Sequence, residues 1–127
     1  MSTENEIREV LQTYERALNT DDATLAVACY TGDGVFMPSG LPAATGTQAL
    51  QAMYGQIFAT LRLRVAFTVD EVVVAGDTVA YALTQSRGTQ TLLASNTESS
   101  EANREVFIFR REHGAWKIAR YLFNQAA

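Results

Sequence analysis

The chain has 127 residues, 47% of them apolar and 19% charged, which suits one globular domain spanning 1–127 and leaves no room for two. Its net charge of −4 comes without any run of Lys or Arg, so the electrostatic footprint of a nucleic-acid or anionic-membrane binder is missing. The single cysteine, Cys29, excludes an internal disulfide. No stretch reaches the roughly 18 consecutive apolar residues of a membrane span, and the acidic start through Glu6 is unlike a signal peptide, so we expect a cytoplasmic protein.

Ile7, Val10, Leu11, Tyr14, Ala17 and Leu18 recur at helical spacing, and Thr3 with Glu6 forms a capping box at the start of this first helix. Asp21 or Asp22 caps a short second helix that runs through Ala28. Thr47 caps a third, whose stripe is Leu50, Met53, Tyr54, Ile57, Phe58 and Leu61. From Arg62 the period changes to two. Leu63, Val65, Phe67 and Val69 share one strand face, and the strand continues into Val72 to Val74. After the Ala75-Gly76-Asp77 turn, Val79, Tyr81 and Leu83 alternate with smaller residues through Arg87. Gly88 then interrupts, Thr89 to Ala94 forms a further strand, and the polar stretch Ser95 to Glu101 is a loop. Two final strands surround the Glu112-His113-Gly114 turn. Helices first and antiparallel strands afterwards predict an α+β domain, three helices packed in a curved, mostly antiparallel sheet.

Strand parity sorts the aromatic residues. Phe107, Phe109, Tyr121 and Phe123 should join Met37, Met53, Tyr54 and Phe58 in a core or pocket, with Asn124 at its rim, while Trp116, Ile118 and Leu122 take the outer face. That face would be an exposed apolar patch unless a second copy covered it, so a homodimer through those three residues is predicted. Glu105 shares the inward parity of Phe107 and Phe109. A buried carboxylate must be paired or protonated, so Glu105 either meets Arg104, Arg120 or Lys117 or stays neutral, its pKa raised by desolvation, and donates a hydrogen bond. His113 sits in a hairpin turn and has no second histidine nearby, which argues against a bound metal. Cys29 has no histidine spaced to activate it and reads as a small buried hydrophobe, and Gly32-Asp33-Gly34 lacks the Lys-Ser or Lys-Thr of a phosphate loop.

Tyr14 through Asp22, Tyr30 through Pro38, and Gly46 with Ala49 and Tyr54 together resemble the opening of the nuclear transport factor 2-like superfamily. Arg104 through Phe109 and Trp116 through Asn124 are similar to its ketosteroid-isomerase-like and SnoaL-like branch. The resemblance spans nearly the whole chain. It implies a cone-shaped, cystatin-like α+β fold, an apolar pocket between sheet and helices, and commonly a homodimer through the sheet's outer face. Steroid isomerases of this branch use a helix tyrosine and a protonated strand aspartate as oxyanion donors, with a second aspartate as base. The resemblance places Tyr14 at the tyrosine, Glu105 at the oxyanion acid, and Met37, which cannot accept a proton, at the base. Isomerisation of a β,γ-unsaturated ketone should therefore be absent or very weak. Two functions stay open, both for a small apolar molecule with a carbonyl, enol or phenol oxygen. One is a cofactor-independent isomerase, cyclase or dehydratase that polarises this oxygen with Tyr14 and Glu105. The other is a ligand-binding or association module in which the same groups orient a ligand or hold the fold, Tyr14 being a core tyrosine.

Overall fold

A computed structural model of the chain describes residues 2–126. Helix α1 (Thr3–Asn19) buries Ile7, Leu11, Tyr14, Ala17 and Leu18, the stripe its spacing predicts. Its cap is Ser2 rather than Thr3, with Ser2 Oγ accepting from Asn5 N at 3.2 Å. Asp22 caps α2 (Ala23–Ala28) by accepting from Leu25 N at 2.9 Å. In α3 (Thr47–Thr60) the cap position is Gly46, and Thr47 is already helical. Gly46 has φ +87°, a conformation that side chains avoid, and this forces the entry into α3 to begin on glycine. No helix among the described residues is long and apolar enough to cross a membrane.

Six strands form one sheet in the order β2-β1-β6-β5-β4-β3. They are β1 (Tyr30–Met37), β2 (Ala44–Thr45), β3 (Leu61–Val74), β4 (Val79–Leu92), β5 (Thr97–Glu112) and β6 (Ala115–Gln125). Strands β3 to β6 form an antiparallel meander, and β1 joins the free edge of β6 in parallel. Sequence periodicity missed β1 because Gly32 and Gly34 interrupt its pattern. Two further expectations are corrected. Gly88 does not divide a strand, since β4 runs through it, paired with Val65 on one side and Glu101 on the other. The stretch from Thr97 to Glu101 is strand, not loop, because the length of β4 offers Thr97 a partner in Leu92.

The ladder between β5 and β6 pairs Ile108 with Arg120 but Phe109 with Ile118, leaving Ala119 as an extra residue. Such a bulge reverses side-chain parity along one strand. Trp116 and Ile118 are consequently buried on the same side as Tyr121. The outer-face assignment of Trp116 and Ile118 is thus overturned, and only Leu122 stays exposed there.

On the concave side, the rings of Tyr54, Phe36, Tyr121, Phe107 and Phe109 form a continuous stack, with centroids 5.2, 5.1, 4.1 and 6.0 Å apart. Tyr14 meets Tyr54, Phe107 and Tyr121 edge-on. Both arrangements suit the ring quadrupole, which disfavours face-to-face eclipsing. The free edge of β3 is held by α1. Asn19 donates to Val65 O at 2.8 Å and accepts from Val65 N at 2.7 Å, and Glu15 accepts from Phe67 N at 2.7 Å. These bonds occupy edge groups that would otherwise invite another strand. Asn19→Ala is expected to cost about 2 kcal/mol, about 1 for each lost bond, measured as a lower urea midpoint at unchanged slope.

Candidate functional site

A cavity of about 450 Å3 opens between α1, α3 and the concave face of the sheet. Its deep wall is aromatic, built from Tyr14, Phe36, Tyr54, Phe67, Tyr121 and Phe123, while Ser86, Gln90, Ser100, Glu101, Asn103 and Gln125 make a polar side. The exposed segment Ser39–Leu41 borders it. A second depression, of about 360 Å3, lies beside α1 and is lined by Glu6, Glu9, Lys117 and a single aromatic residue, Trp116. Among the described residues no group of three or more His, Cys, Asp or Glu is arranged to hold a metal ion.

Tyr14 comes from the inward stripe of α1, Tyr54 from that of α3, and Tyr30 from the start of β1. Their hydroxyls are linked, Tyr14 to Tyr54 at 2.5 Å and Tyr54 to Tyr30 at 2.7 Å. Burial raises the pKa of Tyr14 well above the ordinary phenol value, the neighbouring Tyr30 adds to this, and the bond from Tyr54 opposes it. All three are therefore neutral donors at physiological pH. Each hydroxyl has one proton. If Tyr30 donates to Tyr54 and Tyr54 to Tyr14, the proton of Tyr14 is left for the cavity.

Glu105 is 3% exposed. Among the described residues no cation reaches it, so the ion-pair alternative is not formed: Arg104 donates to Asn124, Arg120 to Asp33 O and Ala119 O, and Lys117 to Ala28 O. Thr84 Oγ1 donates to Oε1 and Ser86 Oγ to Oε2 of Glu105, each at 2.6 Å, because β4 presents both hydroxyls directly beside the inward carboxyl. Burial raises the Glu105 pKa, and the two hydroxyls pull it back only in part. Glu105 does not itself line the cavity; Ser86, which it engages, does. With Glu105 ionised, Ser86 spends its proton on the carboxylate and presents an acceptor. A protonated Glu105 can donate to Ser86 and free the serine proton for a ligand. Glu105→Gln removes the charge and keeps an oxygen for one hydroxyl, so the melting temperature at neutral pH should not fall, as differential scanning calorimetry can check.

Of the eight side chains expected to contact a ligand, Tyr54, Tyr121 and Phe123 line the cavity. Phe107 and Phe109 lie in the ring stack, Phe58 packs beside Tyr54, and Met53 packs on the core. Met37 is half-buried and absent from the lining, where its neighbours Phe36 and Pro38 appear instead. Asn124 is exposed, and Gln125 takes the rim place expected for it. Sequence reasoning missed Ser86, Glu101 and Asn103. Glu101 was hidden inside a presumed loop, and Ser86 looked like any small strand residue. His113 is an exposed turn residue with φ +51°. Cys29 is buried, and desolvation lifts its thiol to about 11, which makes it a poor nucleophile.

The fold has counterparts among known proteins. The chain matches a ketosteroid isomerase-like protein from Erwinia carotovora atroseptica SCRI1043 with 32% identity and a TM-score of 0.91, over 95% of this chain and 94% of that one. It also superposes on a domain with a cystatin-like fold from Nostoc punctiforme PCC 73102, with 19% identity and a TM-score of 0.82, over 100% of this chain and 80% of that one. A nuclear transport factor 2-like protein from Shewanella oneidensis MR-1 matches with 13% identity and a TM-score of 0.79, over 96% and 98%. These last two likenesses show the cystatin-like cone alone. No curated protein matches the sequence. The SnoaL-like domain model matches residues 10–121, and the chain therefore belongs to the SnoaL-like domain family.

Proposed function

We propose that this protein binds a small, flat, mainly apolar molecule through one carbonyl, enol or phenol oxygen, which accepts a hydrogen bond from Tyr14. The observation that carries this reading is the run of three buried hydroxyls, Tyr30, Tyr54 and Tyr14, ending at an aromatic cavity. Hydrogen bonds in such a chain polarise one another, and the low dielectric around them strengthens the terminal donor. Glu105 supports it from the other side. In its protonated form it supplies a second donor through Ser86. The same pair of donors would stabilise an enolate, so cofactor-independent isomerisation, cyclisation or dehydration is the chemistry the site favours. A carrier that only orients the ligand would use the same contacts.

Calorimetric titration of a panel of small phenols across pH tests the reading. The expected result is affinity that falls as pH rises through the raised pKa of Glu105, because the ionised carboxylate reclaims the Ser86 proton and repels the ligand oxygen. Glu105→Gln, whose amide donates to Ser86 as the protonated acid does, should keep the low-pH affinity and flatten this profile. An unaltered profile in Glu105→Gln would remove Glu105 from the site.

The outer sheet face presents Val79, Tyr81, Leu83, Ile108 and Leu122, each more than a third exposed. In the ladder Tyr81 lies beside Ile108, and Leu83 and Leu122 lie on either side of Val106, so these residues form one apolar patch. A homodimer through this patch is the assembly proposed here, in place of one through Trp116 and Ile118. Sedimentation at micromolar concentration should give twice the chain mass, and Leu83→Glu should give the monomer.

A further inference from the structure

Glu101 belongs to the inward row of β5, with Asn103, Glu105, Phe107 and Phe109. It lines the same cavity as Tyr14. Its one hydrogen-bond donor among the described residues is Asn103 Nδ2, 3.2 Å from Oε1. Among the described residues no Lys, Arg or His lines the cavity. The cations of the neighbouring strands, Arg62 and Arg64 on β3 and Arg87 on β4, lie on the exposed parity of those strands. Across the ladder Glu101 faces Gly88, which has no side chain to offer a partner. A half-buried carboxylate with a single amide donor is short of the pairing that buried charges ordinarily have. Burial accordingly raises its pKa. The aromatic walls beside it, Tyr121 and Phe123 among them, present π-faces that also attract a cation.

We propose that the cavity selects ligands carrying an ammonium group on a short chain opposite the ring oxygen, with the ammonium paired to Glu101 and the oxygen at Tyr14. The ammonium supplies the charge-assisted hydrogen bonds that the carboxylate lacks in the free protein. A ligand with a carboxylate at that end meets like-charge repulsion in a site of low dielectric. The oxygen end of this inference rests on the reading of Tyr14 above; the ammonium end rests on Glu101 alone.

The test is calorimetric titration of 4-ethylphenol, tyramine, 4-(3-aminopropyl)phenol and 3-(4-hydroxyphenyl)propionate against the full chain and its Glu101→Gln variant, at neutral pH and low salt. The better-fitting amine should bind the parent about tenfold or more tighter than 4-ethylphenol, from one charge-assisted contact. Glu101→Gln should erase that advantage, so that the amine binds no tighter than 4-ethylphenol, and should improve the propionate. The amine advantage should also fade as pH falls through the raised pKa of Glu101, because protonation removes the charge that the ammonium meets. The titratable groups around Glu101 are Glu105 on its own strand and Tyr121 on β6, the latter neutral throughout this range. No amine advantage in the parent, or an equal advantage in Glu101→Gln, overturns the proposal. Binding of 4-ethylphenol without any amine advantage overturns Glu101 and leaves Tyr14 standing, whereas amines that bind with 4-ethylphenol silent do the opposite. Circular dichroism establishes that the variant is folded, and Glu101→Ser provides a second neutral replacement at this half-exposed position.

Discussion

Tyr14→Phe is expected to weaken the binding of a flat phenol by up to about tenfold, the loss of one buried neutral hydrogen bond of roughly 0.5 to 1.5 kcal/mol. Phenylalanine keeps the ring that meets Tyr54, Phe107 and Tyr121 edge-on, so the core and the cavity wall survive. What disappears is the hydroxyl that ends the chain from Tyr30 through Tyr54. The effect should be graded along that chain. Tyr54→Phe leaves Tyr14 in place but takes away the hydroxyl bonded to it, and Tyr30→Phe acts one bond further back. Affinities should therefore fall most for Tyr14→Phe, less for Tyr54→Phe and least for Tyr30→Phe, as calorimetric titration of the three variants would show. Equal affinity for the parent and Tyr14→Phe would sink the proposed site. Equal losses in all three would instead mean that the hydroxyls act only by holding the core.

Gly88→Ala should give the largest loss of stability of any single methyl added to this chain, roughly 3 kcal/mol or more. A Cβ at Gly88 would lie 1.9 Å from the carbonyl oxygen of Arg64 and 2.8 Å from Cα of Val65, both of them backbone atoms with no rotamer to yield. Strand β3 has no easy retreat, because Val65 is held on its other side by both polar atoms of the Asn19 side chain. Gly55 is the control. It lies inside α3, a Cβ there meets nothing within 4 Å, and Gly55→Ala should stabilise by about 0.5 to 1 kcal/mol through helix propensity. Urea denaturation of the two variants measures both signs. A Gly88→Ala variant within about 0.5 kcal/mol of the parent would show that the sheet can open there at little cost, against the general rule for overpacked sites.

Both predictions depend on which inferences survive the passage from chain to fold. The spacing of Ile7, Leu11, Tyr14 and Leu18 made α1 and its buried face legible, since a helix buries whatever its period aligns. Parity likewise placed Glu105 beside Phe107 and Phe109 on the inward side. The same rule failed at Trp116 and Ile118, because the extra residue at Ala119 reverses parity and has no signature in composition. The loop expected from Ser95 to Glu101 failed beyond Asn96 for another reason. Thr97-Glu-Ser-Ser100 has no strand preference of its own, and its conformation is set by the ladder that β4 extends to it.

The sequence by itself determined the fold class, the inward stripe of α1 and the inward acid on β5, because these follow from local period and hydrophobicity along a single element. Tertiary structure alone decided what those groups meet. Tyr14 finds Tyr54 and Tyr30, 40 and 24 positions apart in the two bonds, and Glu105 finds Thr84 and Ser86 rather than an arginine. Glu101 reaches the cavity because β5 begins early and Gly88 stands opposite it. Each of these pairings depends on register between distant strands and helices, and register is set by packing the whole sheet at once, which no local pattern in the chain records.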